Sequence, residues 1–391
     1  MNKALADLIR VSNITGKDST LVQAGGGNTS VKTADGKHMY IKASGTALKD
    51  MNAKRGWRRL RLDPVLSIIE DKPLAQLDAQ KREPAVVDRL LLACDDKVTG
   101  GARPSVESHL HAFLDRCVIH LHPVVVGAYV NAKNGKAELA KLFKNERFPP
   151  LWVPYTDPGF MLAKRIAQSV VDYESRFSKR PRILFLQKHG LFVTADTADS
   201  AVRLVRKVIN LCSSKLKQPK AHKTGVPAAK DIAAAESAIQ KAVVDVTGQH
   251  LPASYFGREE PIAAFMARKG AKKLLATPAL NPDELVYANG SAMWLEDCNV
   301  RSITRSLTGL VKRGQKPSAA FVVKGLGLFV TADKKTAPVV AEITTGSLLI
   351  RMWATKFGGI LTLNKRQQDF INNWESEAFR KKVASGKTVK C

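Results

Sequence analysis

The heptapeptide Gly190-Leu-Phe-Val-Thr-Ala-Asp196 recurs letter for letter as Gly327-Leu-Phe-Val-Thr-Ala-Asp333. Each copy follows a β-rich run, Ile183–Leu186 in the first and Ala320–Val323 in the second, and each precedes a helix-like segment. Two similar strand-turn-helix pieces in one sheet would explain part of this, but seven identical residues in one context fit a duplicated unit better. The chain therefore reads as two modules on one α/β pattern, and 391 residues are enough to give each a core. The first module, residues 1–214, closes with Ala198 to Leu211, which is apolar at helical spacing and polar between. Residues 215–231 read as an exposed basic linker, since Ser213 to Lys230 holds five lysines and two prolines and no acid. The second module, residues 232–391, opens on the alanine-rich, helical Ile232 to Val244.

The two copies differ where chemistry would sit. His189 precedes the first heptapeptide and Leu326 the second, and no histidine lies beyond His250. Upstream of His189 stands Val118-Ile-His120-Leu-His122. Alternate residues of a strand face the same side, so His120 and His122 present their ring nitrogens together. A bare His-x-His is a weak signal, but Glu107 before it and His189-Gly190 after it turn the set into a metal site in outline. Neutral imidazole suits Zn²⁺ and its first-row neighbours, and three nitrogens leave a position open for substrate. His109 and His111 follow Glu107 at a helix start. Adding both would give five imidazoles, too many for a catalytic zinc, so His109 reads as structural and His111 as a neighbour of the site. The second module cannot build this site and reads as a degenerate copy without metal ligands.

Ala24-Gly-Gly-Gly-Asn-Thr-Ser30, followed by Lys42-Ala-Ser-Gly45, is a second constellation. Glycines let backbone N–H groups converge on an anion, Asn28, Ser30 and Ser44 add donors, and Lys42 offers a point charge. Alone, such a run is a plain turn, and it is neither a Walker A nor a dinucleotide fingerprint. Its weight comes from the company of the histidines. The formal charge of +27 suits steering of an anionic small molecule. The basic residues are dispersed, without an aromatic-interleaved stripe, so specific nucleic-acid binding is not expected. No run of 18 apolar residues lacks a charge, and Asp7 and Arg10 break the first apolar stretch, so neither a membrane span nor a signal peptide is expected, and the location should be cytoplasmic. Cys94, Cys117, Cys212, Cys298 and Cys391 form no Cys-x-x-Cys pair and read as small buried apolar residues.

From Leu21 to about Leu211 these motifs, in this order, resemble the class II aldolase/adducin family: Gly-Asn-Thr-Ser, Lys-Ala-Ser-Gly, Pro104-Ser-Val-Glu107, His-x-His, Val153-Pro-Tyr-Thr-Asp-Pro-Gly159 and His-Gly-Leu. The two-module form is similar to members fused to a vacant second copy. The resemblance implies a three-layer α/β/α fold with a central, mainly antiparallel sheet. It implies zinc, or another divalent first-row metal, on His120, His122 and His189, with Glu107 as the catalytic carboxylate. Its phosphate pocket maps onto Gly27, Asn28, Ser44, Gly45 and Ser105. A serine usual after Ser105 is Val106 here, which removes one hydroxyl from that pocket.

The activity so implied is a metal-dependent lyase that cleaves or forms a C–C bond in a sugar phosphate through an enediolate. Glu107 would move the proton at carbon, with its acidity weakened by an apolar pocket. A second acid is needed at the leaving oxygen, and Tyr155 is the nearest residue for it. Sugar-phosphate 4-epimerisation by retro-aldol chemistry and a non-catalytic, adducin-like scaffold are the alternatives. With one vacant copy per chain, the resemblance implies a homodimer.

Overall fold

A computed structural model describes residues 2–96, 102–219, 225–258, 260–377 and 379. Contacts divide it into two compact units. Among the described residues, the first takes those up to Val130, those of 134–215, and 369–377 with 379; the second takes Asn131–Lys133 and those between Leu216 and Gln368. The described residues 369–377 and 379 thus group with the first unit.

The first unit is built on seven strands: β1 (Asn28–Lys32), β2 (His38–Lys42), β3 (Trp57–Arg61), β4 (Cys117–Leu121), β5 (Leu151–Val153), β6 (Ile183–Leu186) and β7 (Gly190–Ala195). Their order is β3-β2-β1-β4-β7-β6-β5. Every pair is antiparallel except β5 with β6, which fits the mainly antiparallel sheet expected from the motifs. Val118, Leu184, Leu186 and Phe192 pack on one face against Leu162, Ile166 and Val170 of the helix Phe160–Phe177. Their alternates Ile119, Leu191 and Val193 are equally buried, so the other face is covered too. Helices Lys3–Gly16 and Ala198–Ser213 contact β1, β4 and β7, completing three layers. Burying both faces of β4 is worth roughly 1.5–3 kcal/mol per large apolar side chain.

Strand β1 is polar, Asn-Thr-Ser-Val-Lys, yet fully buried. Burial calls for partners, and the hydroxyls and the ammonium of this strand have them. Thr29 Oγ1 meets Ser12 Oγ at 2.6 Å, and Ser30 Oγ meets His111 Nδ1 at 2.8 Å. Lys32 Nζ donates to the carbonyls of His111, Leu114 and Asp115 at 2.8, 2.6 and 2.7 Å, closing the C-terminal end of the short helix Ser108–Ala112. A polar strand in the middle of a sheet is affordable only where its side chains build something, and here they form the wall behind Glu107.

The second unit carries β8 (Ala253–Tyr255), β9 (Met293–Leu295), β10 (Ala320–Val323) and β11 (Gly327–Thr331), ordered β8-β11-β10-β9. β8 with β11 and β11 with β10 are antiparallel, and β10 with β9 is parallel. Order and direction match β4-β7-β6-β5, so the repeated heptapeptide occupies the same strand of the same four-stranded half-sheet twice. The two faces of this sheet carry separate cores, one around Val322, Leu328 and Val330, the other around Phe321, Val323 and Phe329. Among the described residues no helix is long and apolar enough to cross a membrane. Cys94, Cys117, Cys212 and Cys298 are free thiols; Cys391 lies outside the described residues.

Candidate metal centre

Strand β4 runs between β1 and β7, with Asn28 opposite His120 on one side and Phe192 opposite it on the other. His120 is buried and its ring stacks on Phe192 at 4.1 Å between centroids. Its Nδ1 lies 3.0 Å from the Leu191 carbonyl. A carbonyl only accepts, so Nδ1 carries the proton and Nε2 keeps its lone pair for a ligand. His122, one residue past β4, brings its Nε2 to 3.0 Å from that of His120. His189 comes from the β6–β7 turn, and its ring stands 5.0 Å from His120 and 5.1 Å from His122.

The ligand atoms of these three residues all lie within 4.8 Å of one another. Three imidazole nitrogens on one tetrahedral zinc stand about 3.3 Å apart, so the donor set fits a single first-row cation with a position left open. Glycines make this approach possible. A Cβ on Gly190 would sit 2.5 Å from the Leu121 carbonyl and 2.7 Å from His122 Cδ2, and one on Gly27, whose φ is +59°, would sit 2.6 Å from the His120 carbonyl. This is the physical content of the His-Gly and Gly-Asn pairs read in the sequence.

Glu107 precedes the short helix Ser108–Ala112, and its backbone N–H donates to Ser105 Oγ at 3.3 Å. Its carboxylate accepts from Asn28 Nδ2 at 2.5 Å and lies 3.5 Å from His120 Nε2 and 3.8 Å from His189 Nε2. Burial by itself raises the Glu107 pKa; the imidazoles of His120 and His189, the Asn28 amide and His111 outweigh it and bring it down to about 2. The weakened acid expected from an apolar pocket is therefore corrected: burial acts in that direction, but the Asn28 amide and the facing imidazoles reverse it. Burial pushes His120 well below its ordinary value, His111 to about 3 and His109 to about 4, so these rings are neutral near pH 7.

The structure also places the expected phosphate residues. Gly27 and Asn28 lead into β1, Ser44 N–H donates to the Arg103 carbonyl at 2.8 Å, and Ser105 N–H donates to the Lys42 carbonyl at 2.9 Å. Asn28 Oδ1 is buried without a hydrogen-bond partner among the described residues, an acceptor left over for a ligand or water. Lys42 is a correction. Its ammonium donates to the carbonyls of Gly25 and Gly27 at 2.6 Å each and reaches Gly26 at 3.5 Å, so it shapes the glycine loop from inside instead of offering a charge to an anion. Tyr155 stands beside the turn that carries His189: its N–H donates to Gln187 Oε1 at 3.0 Å, and Lys188 Nζ lies 5.2 Å over its ring.

Strand register identifies what replaced the site in the second unit. Phe192 faces His120, and its repeat Phe329 faces Tyr255. The positions of His120, His122 and His189 are thus held by Tyr255, Gly257 and Leu326, and the Tyr255 hydroxyl donates to the Leu326 carbonyl at 3.0 Å. Sequence reading found only Leu326, because the first two positions show themselves through strand pairing and not through spacing.

The first unit is thus a three-layer α/β/α fold that brings together three imidazoles able to hold a metal ion, with a carboxylate beside them. The chain belongs to the class II aldolase and adducin family: the profile of the Class II Aldolase and Adducin N-terminal domain matches residues 6–216. Members of that family are mostly enzymes and generally depend on a divalent metal. Over 98% of its length the chain is 25% identical to the Bacillus subtilis (strain 168) protein named uncharacterized oxidoreductase YuxG, and it spans 59% of that protein. Among solved structures it is similar to the N-terminal class II aldolase domain of a conserved protein from Thermoplasma acidophilum, at 27% identity over 55% of this chain and 94% of that one, with a TM-score of 0.45. The L-fuculose-1-phosphate aldolase of Thermus thermophilus aligns at 16% identity over 54% of this chain and 90% of that one, with a TM-score of 0.32.

Proposed function

We propose that this protein is a divalent-metal-dependent aldolase, with zinc as the metal, that makes or breaks a C–C bond in a sugar phosphate. The observation that carries the reading is the convergence of His120, His122 and His189 with a Glu107 carboxylate held by Asn28. A cation on the three imidazoles would supply Lewis-acid stabilisation to the oxygens on which charge develops as the bond changes. Glu107, ionised near neutrality, accepts the proton from the carbon beside the ketose carbonyl in the synthetic direction and returns it after cleavage. Asn28 keeps that carboxylate aimed, which preserves the alignment proton transfer needs. Tyr155 is the candidate donor to the aldehyde oxygen that becomes a hydroxyl. Gly27, Asn28, Ser44, Gly45 and Ser105 are the candidate phosphate cradle, and the charge of +27 favours capture of an anion. The assembly that fits one vacant copy per chain is a homodimer.

The test is a panel of ketose 1-phosphates and pentulose 5-phosphates offered to zinc-loaded and chelator-treated protein, with aldehyde release and 4-epimer formation measured together. Metal-dependent aldehyde release supports the proposal. Formation of the 4-epimer alone would replace it with an epimerase, and the absence of turnover by protein that retains its metal would overturn it.

A further inference from the structure

Arg103 borders the candidate anion cradle of the first unit at Ser44. Its carbonyl receives the Ser44 N–H, and Ser105, two residues on, donates to Lys42, so the segment is laced to the Lys42–Ser44 stretch. The guanidinium directs Nη1 at both oxygens of Glu375, at 2.8 and 3.1 Å, and lies 4.1 Å over the ring of Phe379. Its Nε is buried with no hydrogen-bond partner among the described residues. Ser44, Arg103, Pro104, Val106, Ser376 and Phe379 line one small cavity. A serine of the cradle and a guanidinium therefore open onto the same space, and the group resting on the guanidinium is a carboxylate from the end of the chain.

We propose that Arg103 is an anion-binding residue of this site, and that Glu375 occupies it as an internal competitor which the phosphate of a substrate displaces. The proposal rests on the sugar-phosphate reading above. A guanidinium donates its N–H groups to a carboxylate or a phosphate alike, so Glu375 imitates the ligand chemically. The Glu375 side chain is 47% exposed, and an ion pair so open to water is weak enough to exchange. Arg103 also keeps a donor to spare in its buried Nε.

The experiment is calorimetric titration of the full chain with inorganic phosphate, at fixed ionic strength, for wild type, Glu375→Gln, Arg103→Gln and the double variant. Glu375→Gln should tighten phosphate binding about two- to fivefold, the factor an ion pair of this exposure is worth. Arg103→Gln should weaken it about tenfold or more, as loss of a charged hydrogen bond does. In the double variant the gain from Glu375→Gln should vanish. Unchanged affinity in Glu375→Gln, or an equal gain with and without Arg103, overturns the proposal. Phosphate held only elsewhere in the site would respond to neither substitution, the same overturning result. Arg103→Lys keeps the charge and serves if the glutamine variant fails to fold; its affinity should fall between wild type and zero binding. Because the readout is phosphate binding, the expected pattern without turnover of any ketose phosphate would sink the proposed activity and leave this inference standing.

Discussion

Glu107 and Lys188 show at the scale of single residues how the site is held. Glu107 is buried, ionised and bonded to Asn28, so Glu107→Gln keeps shape and most of the hydrogen bonding while removing the proton acceptor. Turnover should fall by roughly two to four orders of magnitude with metal content unchanged. Parallel measurement of kcat and bound metal checks this, and near-normal turnover would move the proton to another group. Lys188 adopts φ +58° in the turn before His189, and the same turn in the second unit has Gly325 at φ +80°. A lysine in the left-handed region carries strain that glycine does not. Lys188→Gly should therefore raise stability by about 0.5–1 kcal/mol, read as the shift in a urea denaturation midpoint. A destabilised variant would mean that the Tyr155 contact outweighs the strain.

At the scale of elements, the site depends on how closely β4 and β7 approach. Gly190 opens β7 directly opposite His122, and its missing Cβ leaves the space that the Leu121 carbonyl and the imidazole fill. Gly190→Ala must push the strand or the ring aside. The expected cost is about 1–3 kcal/mol, with weakened metal binding, although no candidate ligand has been touched. Elemental analysis beside a thermal melt would test it, and wild-type metal affinity in a folded Gly190→Ala protein would contradict the strand geometry. The equivalent change at Gly327 crowds the Gly257 carbonyl and should cost stability alone.

For the whole molecule, the duplicated half-sheet carries one candidate centre and one erased one. Tyr255, Gly257 and Leu326 offer no imidazole, so a full chain should bind one divalent ion and not two. His189→Ala should bring that number close to zero without unfolding either unit. Two ions per wild-type chain, or one retained by the variant at wild-type affinity, would refute the assignment. The first unit also includes residues 369–377 and 379, so cutting the chain after Ser214 removes Glu375 from Arg103 and Trp374 from the loop around Gly159. The truncated chain should lose solubility or stability, measurable by sedimentation and melting. A soluble, fully stable 1–214 fragment would show that this returning segment is dispensable.

The sequence by itself determined the repeat, the His-x-His and His-Gly pairs, Glu107 and the glycine loop. Those are local patterns whose chemistry follows from residue type and strand alternation. Tertiary structure alone decided what Lys42 does, because a lysine beside a glycine loop can point at an anion or at the loop's own carbonyls, and only packing selects the carbonyls. It also decided the acidity of Glu107, which depends on polar groups brought from β1, β4 and the β6–β7 turn, up to 82 residues away in the chain. The replacement of His120 and His122 by Tyr255 and Gly257 became visible through strand register, since these residues share no spacing motif with the originals. The same holds for Arg103 and Glu375, 272 residues apart, whose pairing no local pattern encodes because long-range contacts are fixed by how elements pack.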